Sequence, residues 1–289
     1  IGYYAFHDCS SLSSITIPKS VTSVSYGLLS GCTELKTAGS IGSGCNIEFG
    51  WKEIIPSGVF WGCSSLTSIV IPEGVTSIGN YAFDGCSSLT SIVIPEEVTS
   101  IGNYAFDGCS SLASIVLPEG VTSIGYSAFN GCSNLASAAI PEGVTSIGDS
   151  AFKGCSSLTS ITLPKSMDSW NPIGSDAFSG CTKLETIDLP SGLESIPSKL
   201  FSGCKNLKKI IIPNTVTSIG DYAFEQCNAL TDIYYDGEES DWAKITIGIY
   251  NDPLKNAEKH YKGSVTGVCL NKEEIMLRAG TTAHLTATI

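Results

Sequence analysis

The sequence predicts a fold of the α/β class leaning to β: a solenoid of about ten 23-residue coils with a parallel sheet and short helical turns. Three observations carry this. A phrase of 23 residues, cleanest as IPEGVTSIGNYAFDGCSSLTSIV from Ile71, recurs down the chain almost to its end. Cysteine marks its register at Cys9, Cys32, Cys63, Cys86, Cys109, Cys132, Cys155, Cys181, Cys204 and Cys227, and seven of the nine intervals are 23 residues. Within each copy the apolar positions keep fixed places, as Leu66, Ile69, Ile71, Val75, Ile78, Ala82, Phe83 and Cys86 show.

Each element follows from local chemistry. Leu66-x-x-Ile69-x-Ile71 alternates and is β-branched, as a short strand requires, and Pro72 ends it because proline cannot donate to a ladder. A second extended piece is expected over Val75 to Ile78. Gly79 then permits a tight corner, and Tyr81 to Cys86 is long enough for one helical turn. The interval from Cys32 to Cys63 is longer by eight residues and that from Cys155 to Cys181 by three, which reads as two extruded loops.

A single copy cannot fold alone. Eight inward side chains at roughly 2 kcal/mol each do not offset roughly 1.5 kcal/mol of ordering per residue. Stacking supplies the rest, burying Phe on Phe, Leu on Leu and Ile on Ile at about 4.8 Å per coil, so that the coils build a rod or shallow arc roughly 50 Å long.

The Leu-x-x-Ile-x-Ile-Pro core with its Ala-Phe-x-x-Cys turn resembles the leucine-rich repeats of the BspA-like type, over about residues 1 to 235. The stretch from Leu35-Lys36-Thr37-Ala38-Gly39 to Glu48-Phe49-Gly50-Trp51 resembles a variant repeat of that family. The resemblance implies a surface or secreted protein of a host-associated bacterium or mucosal parasite, engaged in adhesion and recognition. Leu29 in place of Phe, Ala38 and Ala138 in place of Ile, and Pro56 and Pro197 in place of the corner glycine depart from the pattern and imply local repacking.

The expected domains are a solenoid over 1–235, a C-terminal cap over 236–263 and, over 264–289, a truncated start of a bacterial immunoglobulin-like domain. The cap carries Trp242, Ile245, Ile247, Tyr250, Leu254, Ala257 and Tyr261, and it would cover the apolar face and strand edge of the last coil. The tail, with Val265-Thr266-Gly267-Val268 and Gly280-Thr281-Thr282-Ala283, resembles the opening strands of a group 2 bacterial immunoglobulin-like domain. Both ends read as cut, since Ile1-Gly2-Tyr3-Tyr4-Ala5-Phe6 aligns with Ile78 to Phe83 in mid-coil. No apolar run approaches the roughly 20 residues needed to span a bilayer.

Charged residues make up 15% of the chain, and the net charge of −12 with pI near 4.6 argues against nucleic acid or an anionic membrane as partner. Twelve cysteines in a secreted chain ordinarily suggest disulfides. Here the ten periodic thiols are expected to point inward in register. Their Cβ atoms, about 4.8 Å apart on parallel vectors, would lie outside disulfide range, leaving a reduced column of small hydrophobes. Cys45 and Cys269 lie outside that ladder and nothing pairs them.

No cofactor, metal or catalytic site is read from the chain. His7, His260 and His284 are its histidines, none within a nucleophile motif, and no zinc spacing occurs. Recognition of an extracellular or host protein by a monomer, through the strand face, is the leading expectation; a passive spacer and a glycan-binding module are the alternatives. One exposed column should run Ser68, Ser91, Ser114, Ser137, Ser160, Thr186, Lys209, Asp232, and its neighbour Val70, Val93, Val116, Ala139, Thr162, Asp188, Ile211, Tyr234. The last coils turn charged and bulky, which nominates Glu185, Asp188, Lys208, Lys209, Ile211 and Tyr234 as partner-binding residues. The row Glu73, Glu96, Glu119, Glu142 is tolerable without a ligand, at roughly 0.8 kcal/mol of repulsion per neighbour in water. Trp51, Trp61, Trp170 and Trp242 are scattered in sequence, and the Trp170-Asn171-Pro172 loop is the place for a glycan contact.

Overall fold

The computed structural model describes residues 1–15, 17, 21, 24–38, 53–165, 167 and 172–262. Both inserted loops fall largely outside these residues, as do Cys45, Trp51, Trp170, Cys269, His284 and the immunoglobulin-like tail. The described residues form a β-solenoid of about nine turns, with parallel sheets, a repeat of about 23 residues and little helix. None of their helices is long and apolar enough to cross a membrane.

Two strand ladders run along the solenoid, both parallel and advancing one repeat per step. In the first, Thr37–Ala38 pair with Ser68–Ile69, Val70 bridges to Val93, and Ser137–Ala139 pair with Ser160–Thr162. Thr186–Asp188, Lys209–Ile212, Asp232–Tyr235 and Glu258–Tyr261 then make one four-stranded sheet. The single continuous sheet expected here is thus a row of shorter ones. Single bonds join the coils between them, such as that from the Ala113 N–H to the Thr90 carbonyl at 3.2 Å. The second ladder is the less interrupted. Ile54–Ile55, Ser77–Ile78, Ser100–Ile101, Ser123–Ile124 and Ser146–Ile147 form a five-stranded sheet, and Ser195–Ile196, Ser218–Ile219 and Thr246–Ile247 a three-stranded one.

The third side corrects the expectation of helical turns. Tyr81 to Cys86 closes through three-residue bonds, such as that from the Cys86 N–H to the Phe83 carbonyl at 3.0 Å, with Tyr81 at φ 58° and Gly85 at φ 72°. A left-handed residue every few positions prevents an α-helix from propagating. The alternate N–H groups point along the solenoid axis instead. Those of Tyr81, Phe83 and Gly85 reach the carbonyls of Asn103, Ala105 and Asp107 at 2.8, 2.8 and 2.7 Å, so the turn side is itself a hydrogen-bonded ladder.

Gly79 also serves a different purpose from the one expected. Its φ is not in the left-handed region; a Cβ there would stand 2.5 Å from the Ile55 carbonyl oxygen, so glycine allows two coils to touch.

The interior is an in-register pile. Phe60, Phe83, Phe106, Phe129 and Phe152 are buried, with successive ring centroids 5.2–5.5 Å apart and nearly parallel planes. Beside them the nine periodic cysteines Cys32, Cys63, Cys86, Cys109, Cys132, Cys155, Cys181, Cys204 and Cys227 are buried and free. Cys9, in the first of the described coils, is the exception and is exposed. Each inner thiol donates to a carbonyl of the coil before, as Cys86 Sγ does to Phe60 at 3.2 Å and Cys109 to Phe83 at 3.2 Å. Hydroxyls do the same outside. Thr99, Thr122 and Thr145 donate to the carbonyls of Thr76, Thr99 and Thr122, and Ser110 and Ser133 to those of Ser87 and Ser110. The Ser/Thr-rich composition is therefore an axial set of staples as well as a polar surface.

Beyond Tyr235 the sequence period ends but the coil does not. Thr246–Ile247 and Glu258–Tyr261 extend both ladders, with the short helices Glu239–Trp242 and Asp252–Asn256 between strands. Buried Asn251 completes the turn side. Its Oδ1 accepts the Phe224 N–H at 3.0 Å, a bond that a backbone carbonyl of the next coil accepts elsewhere, as Ala223 does from Phe201, and its amide donates to Gly220 and Gly248.

Candidate functional site

The exposed strand face is built by alternation: Lys209, Ile210, Ile211 and Ile212 run exposed, buried, half-buried, buried. Ladder register then fixes the columns. Thr186 lies opposite Lys209, Lys209 opposite Asp232 and Asp232 opposite Glu258; one step along, Asp188 faces Ile211, Ile211 faces Tyr234 and Tyr234 faces His260. Four of the side chains nominated from the sequence, Asp188, Lys209, Ile211 and Tyr234, thus stand on one four-stranded sheet. Lys208 Nζ pairs with Glu185 Oε2 at 2.9 Å at the sheet margin, both side chains more than half exposed. Asp188 and Lys209 are exposed, Ile211 is half-buried and Tyr234 is exposed.

Sequence reasoning did not include the neighbours contributed by the irregular coil. The His260 ring stacks on Tyr234 at 4.6 Å and 17°, and its Nε2 lies 2.8 Å from Asp232 Oδ1. The Thr231 hydroxyl donates to Asp232 Oδ2 at 2.7 Å. These two hydrogen bonds, with the charges of His260 and Lys209, hold the Asp232 carboxyl below its usual range. The signal was the spacing from Asp232 to Glu258, 26 residues rather than 23, hidden by the loss of the repeat.

The opposite half of the same face is apolar and acidic. Val93 and Val116 are 81% and 80% exposed, which no core role explains, and the exposed row Glu73, Glu96, Glu119, Glu142 lies three residues further along each coil. Glu142 Oε2 accepts the backbone N–H of Lys165 at 3.2 Å.

The aromatics are less scattered than their positions suggest. Trp61, Tyr81, Tyr104 and Tyr126 form a file along the turn side, with centroids 6.2, 4.7 and 5.1 Å apart. Tyr81 and Tyr104 lie nearly parallel, 8° apart, so the ring faces that a sugar would stack on are turned toward each other. In the column beside them, burial and the charge of Asp107 push the Asp84 carboxyl up to about 6. Asp107 is raised too, by burial, although the Asn130 amide donates to it at 3.0 Å. Burial likewise pushes the inner thiols up, Cys32 to about 11 and Cys155 and Cys227 to about 12, so at neutral pH they are protonated.

Comparison with known proteins agrees with this architecture. The sequence matches the BspA type leucine rich repeat region (6 copies) over residues 1–46, 53–172 and 168–242. No family match extends to residues 264–289, and the immunoglobulin-like resemblance there has no support. No curated protein matches the chain. Among solved structures, a leucine-rich cell surface protein from Faecalibacterium prausnitzii A2-165 is 30% identical, with 85% of this chain and 72% of that one covered and a TM-score of 0.54. A leucine-rich repeat protein from Bacteroides ovatus is 28% identical, with 78% of this chain and 64% of that one covered and a TM-score of 0.59. A third, from Eubacterium ventriosum, is 23% identical at a TM-score of 0.51 and supports the fold. The chain belongs to the BspA-type leucine-rich repeat family.

Proposed function

We propose that this chain is the recognition region of a bacterial cell-surface or secreted protein, non-catalytic, binding an extracellular or host protein through the strand face of its last coils. The observation that carries the reading is the asymmetry of that face. Ser, Thr and Val line its first coils, whereas Glu185, Asp188, Lys208, Lys209, Ile211 and Tyr234 gather both charges and apolar bulk in one patch. Mixed patches of this kind, with apolar and aromatic side chains among charges, are what protein partners bury. The surface location rests on the Faecalibacterium prausnitzii relative, a leucine-rich cell surface protein. In the same reading, residues 236–262 cap the solenoid, since they continue both ladders and then fill the last turn with Asn251.

The test is direct binding of the purified chain to immobilised extracellular-matrix proteins and mucins. Binding to a protein should weaken at least about tenfold when Asp188→Lys and Lys209→Glu are combined, because rim charges steer and register partners. The pair Val93→Ser and Val116→Ser should leave it unchanged. Silence on every surface would make the chain a spacer, and retention on mucin glycan alone would make it a glycan-binding module.

A further inference from the structure

We propose that Asp232, Glu258 and His260 form a binding site for a divalent transition-metal ion, with Zn²⁺ the ion whose ligand preferences they fit. Each offers one donor atom, a carboxylate oxygen or an imidazole nitrogen, and the three atoms lie within 4.8 Å of one another. They come from adjacent parallel strands, Asp232–Tyr235 and Glu258–Tyr261, whose four register pairs fix the backbones beneath them. The site therefore rests on a sheet, a more precise support than a loop.

Two of the three ligands are oriented by neighbours. Thr231 holds Asp232 Oδ2, which leaves Oδ1 turned to His260 Nε2 at 2.8 Å, and Tyr234 supports the imidazole plane from one side. Supports of this kind orient ligands at established metal sites and strengthen them. Asp232 and Glu258 stand directly opposite each other in the ladder, a like-charge arrangement that disfavours the pairing. A dication between them would convert that repulsion into coordination.

The donor set chooses the ion. One imidazole with two carboxylates suits Zn²⁺, at about 2.0–2.1 Å to nitrogen and 2.0–2.2 Å to oxygen, whereas Ca²⁺ and Mg²⁺ take oxygen ligands. A tetrahedral site would need the 2.8 Å contact to open to about 3.3 Å. The side chains have room for it, as Asp232 and His260 are 33% and 35% exposed. Three protein ligands leave a fourth position for water or for a group from a partner molecule. Thr231 and Glu258 also border an open groove of about 700 Å³ against the Asp252–Asn256 helix. The site stands whether or not the strand face binds a protein.

The experiment is calorimetric titration of the whole chain with ZnCl₂, and separately with CaCl₂, after alkylation of accessible thiols so that exposed Cys9 does not compete. One Zn²⁺ per chain and no saturable Ca²⁺ binding are expected. His260→Ala and Asp232→Asn should each weaken Zn²⁺ by more than about tenfold, and Thr231→Val, which removes the hydroxyl bonded to Asp232 and to the Lys208 carbonyl but leaves all three ligands, by about tenfold. His7→Ala should change nothing. Circular dichroism and thermal unfolding of each variant separate a lost ligand from a lost fold, and a metal-dependent shift of the His260 ring resonances in the parent chain gives a readout free of any substitution. Absence of saturable Zn²⁺ binding at about millimolar concentration, or affinity unchanged by His260→Ala, overturns the proposal.

Discussion

Asp84 keeps its proton to about pH 6 because its turn is partly buried and Asp107 stands in the next coil. In the unfolded chain the same carboxyl titrates near 3.9. The folded state therefore binds more protons between about pH 4 and 6, so stability falls as pH rises through that window and the ionised group is a cost at neutral pH. Asp84→Asn should remove the cost and offer Asp107 the amide donor that Asn130 already supplies from the other side. The expected gain is about 1 kcal/mol near neutral pH, after discounting for solvent, and it should vanish below about pH 4. Urea denaturation at the two pH values checks it; an equal gain at both would mean a packing effect. At this scale the inward residues were legible, because Phe83, Cys86 and Ile78 recur at one spacing. The left-handed φ of Tyr81 was not, since nothing in a tyrosine side chain calls for it and only the column of Gly85 and its equivalents hinted at an irregular turn. The thiol and hydroxyl bonds to preceding carbonyls were hidden for another reason: they depend on axial spacing, which a single copy does not contain.

Glycine acts on elements in two ways that composition does not distinguish. Gly102 and Gly120 both lie outside the left-handed region, yet a Cβ at Gly102 would stand 2.7 Å from the backbone nitrogen of Asn80, while at Gly120 its nearest neighbour would be the Val98 carbonyl oxygen at 3.5 Å. Gly102→Ala should push two coils apart and cost about 1–3 kcal/mol. Gly120→Ala should be neutral or stabilise by up to about 1 kcal/mol through the unfolded chain, and Glu97 already occupies the matching place one coil earlier. Thermal unfolding of the two variants decides whether coil contact or turn flexibility is the constraint; equal losses would refute the distinction. The strands were legible from β-branched alternation and proline. Their lengths were not, since the number of paired residues depends on how closely neighbouring coils lie at each level.

At the scale of the whole molecule, each coil has no core of its own and is completed by the next. The irregular coil after Tyr235 shows why sequence alone lost the thread: Thr246 and Glu258 take up the ladders at spacings of 28 and 26 residues, and Asn251 substitutes a side-chain amide for the missing turn bond. The face proposed for recognition was legible as a change in column chemistry from Ser and Val to Lys, Asp and Tyr. His260, which completes it, was legible only as a histidine outside any motif.

The central claim, an in-register pile of coils around a reduced thiol column, is tested most directly by alkylating the native chain without reductant and reading each cysteine peptide by mass spectrometry. The account predicts rapid modification of Cys9, with Cys32, Cys63, Cys86, Cys109, Cys132, Cys155, Cys181, Cys204 and Cys227 free but untouched until denaturant is added. A disulfide between neighbours such as Cys86 and Cys109, or fast native labelling of the central thiols, would contradict it.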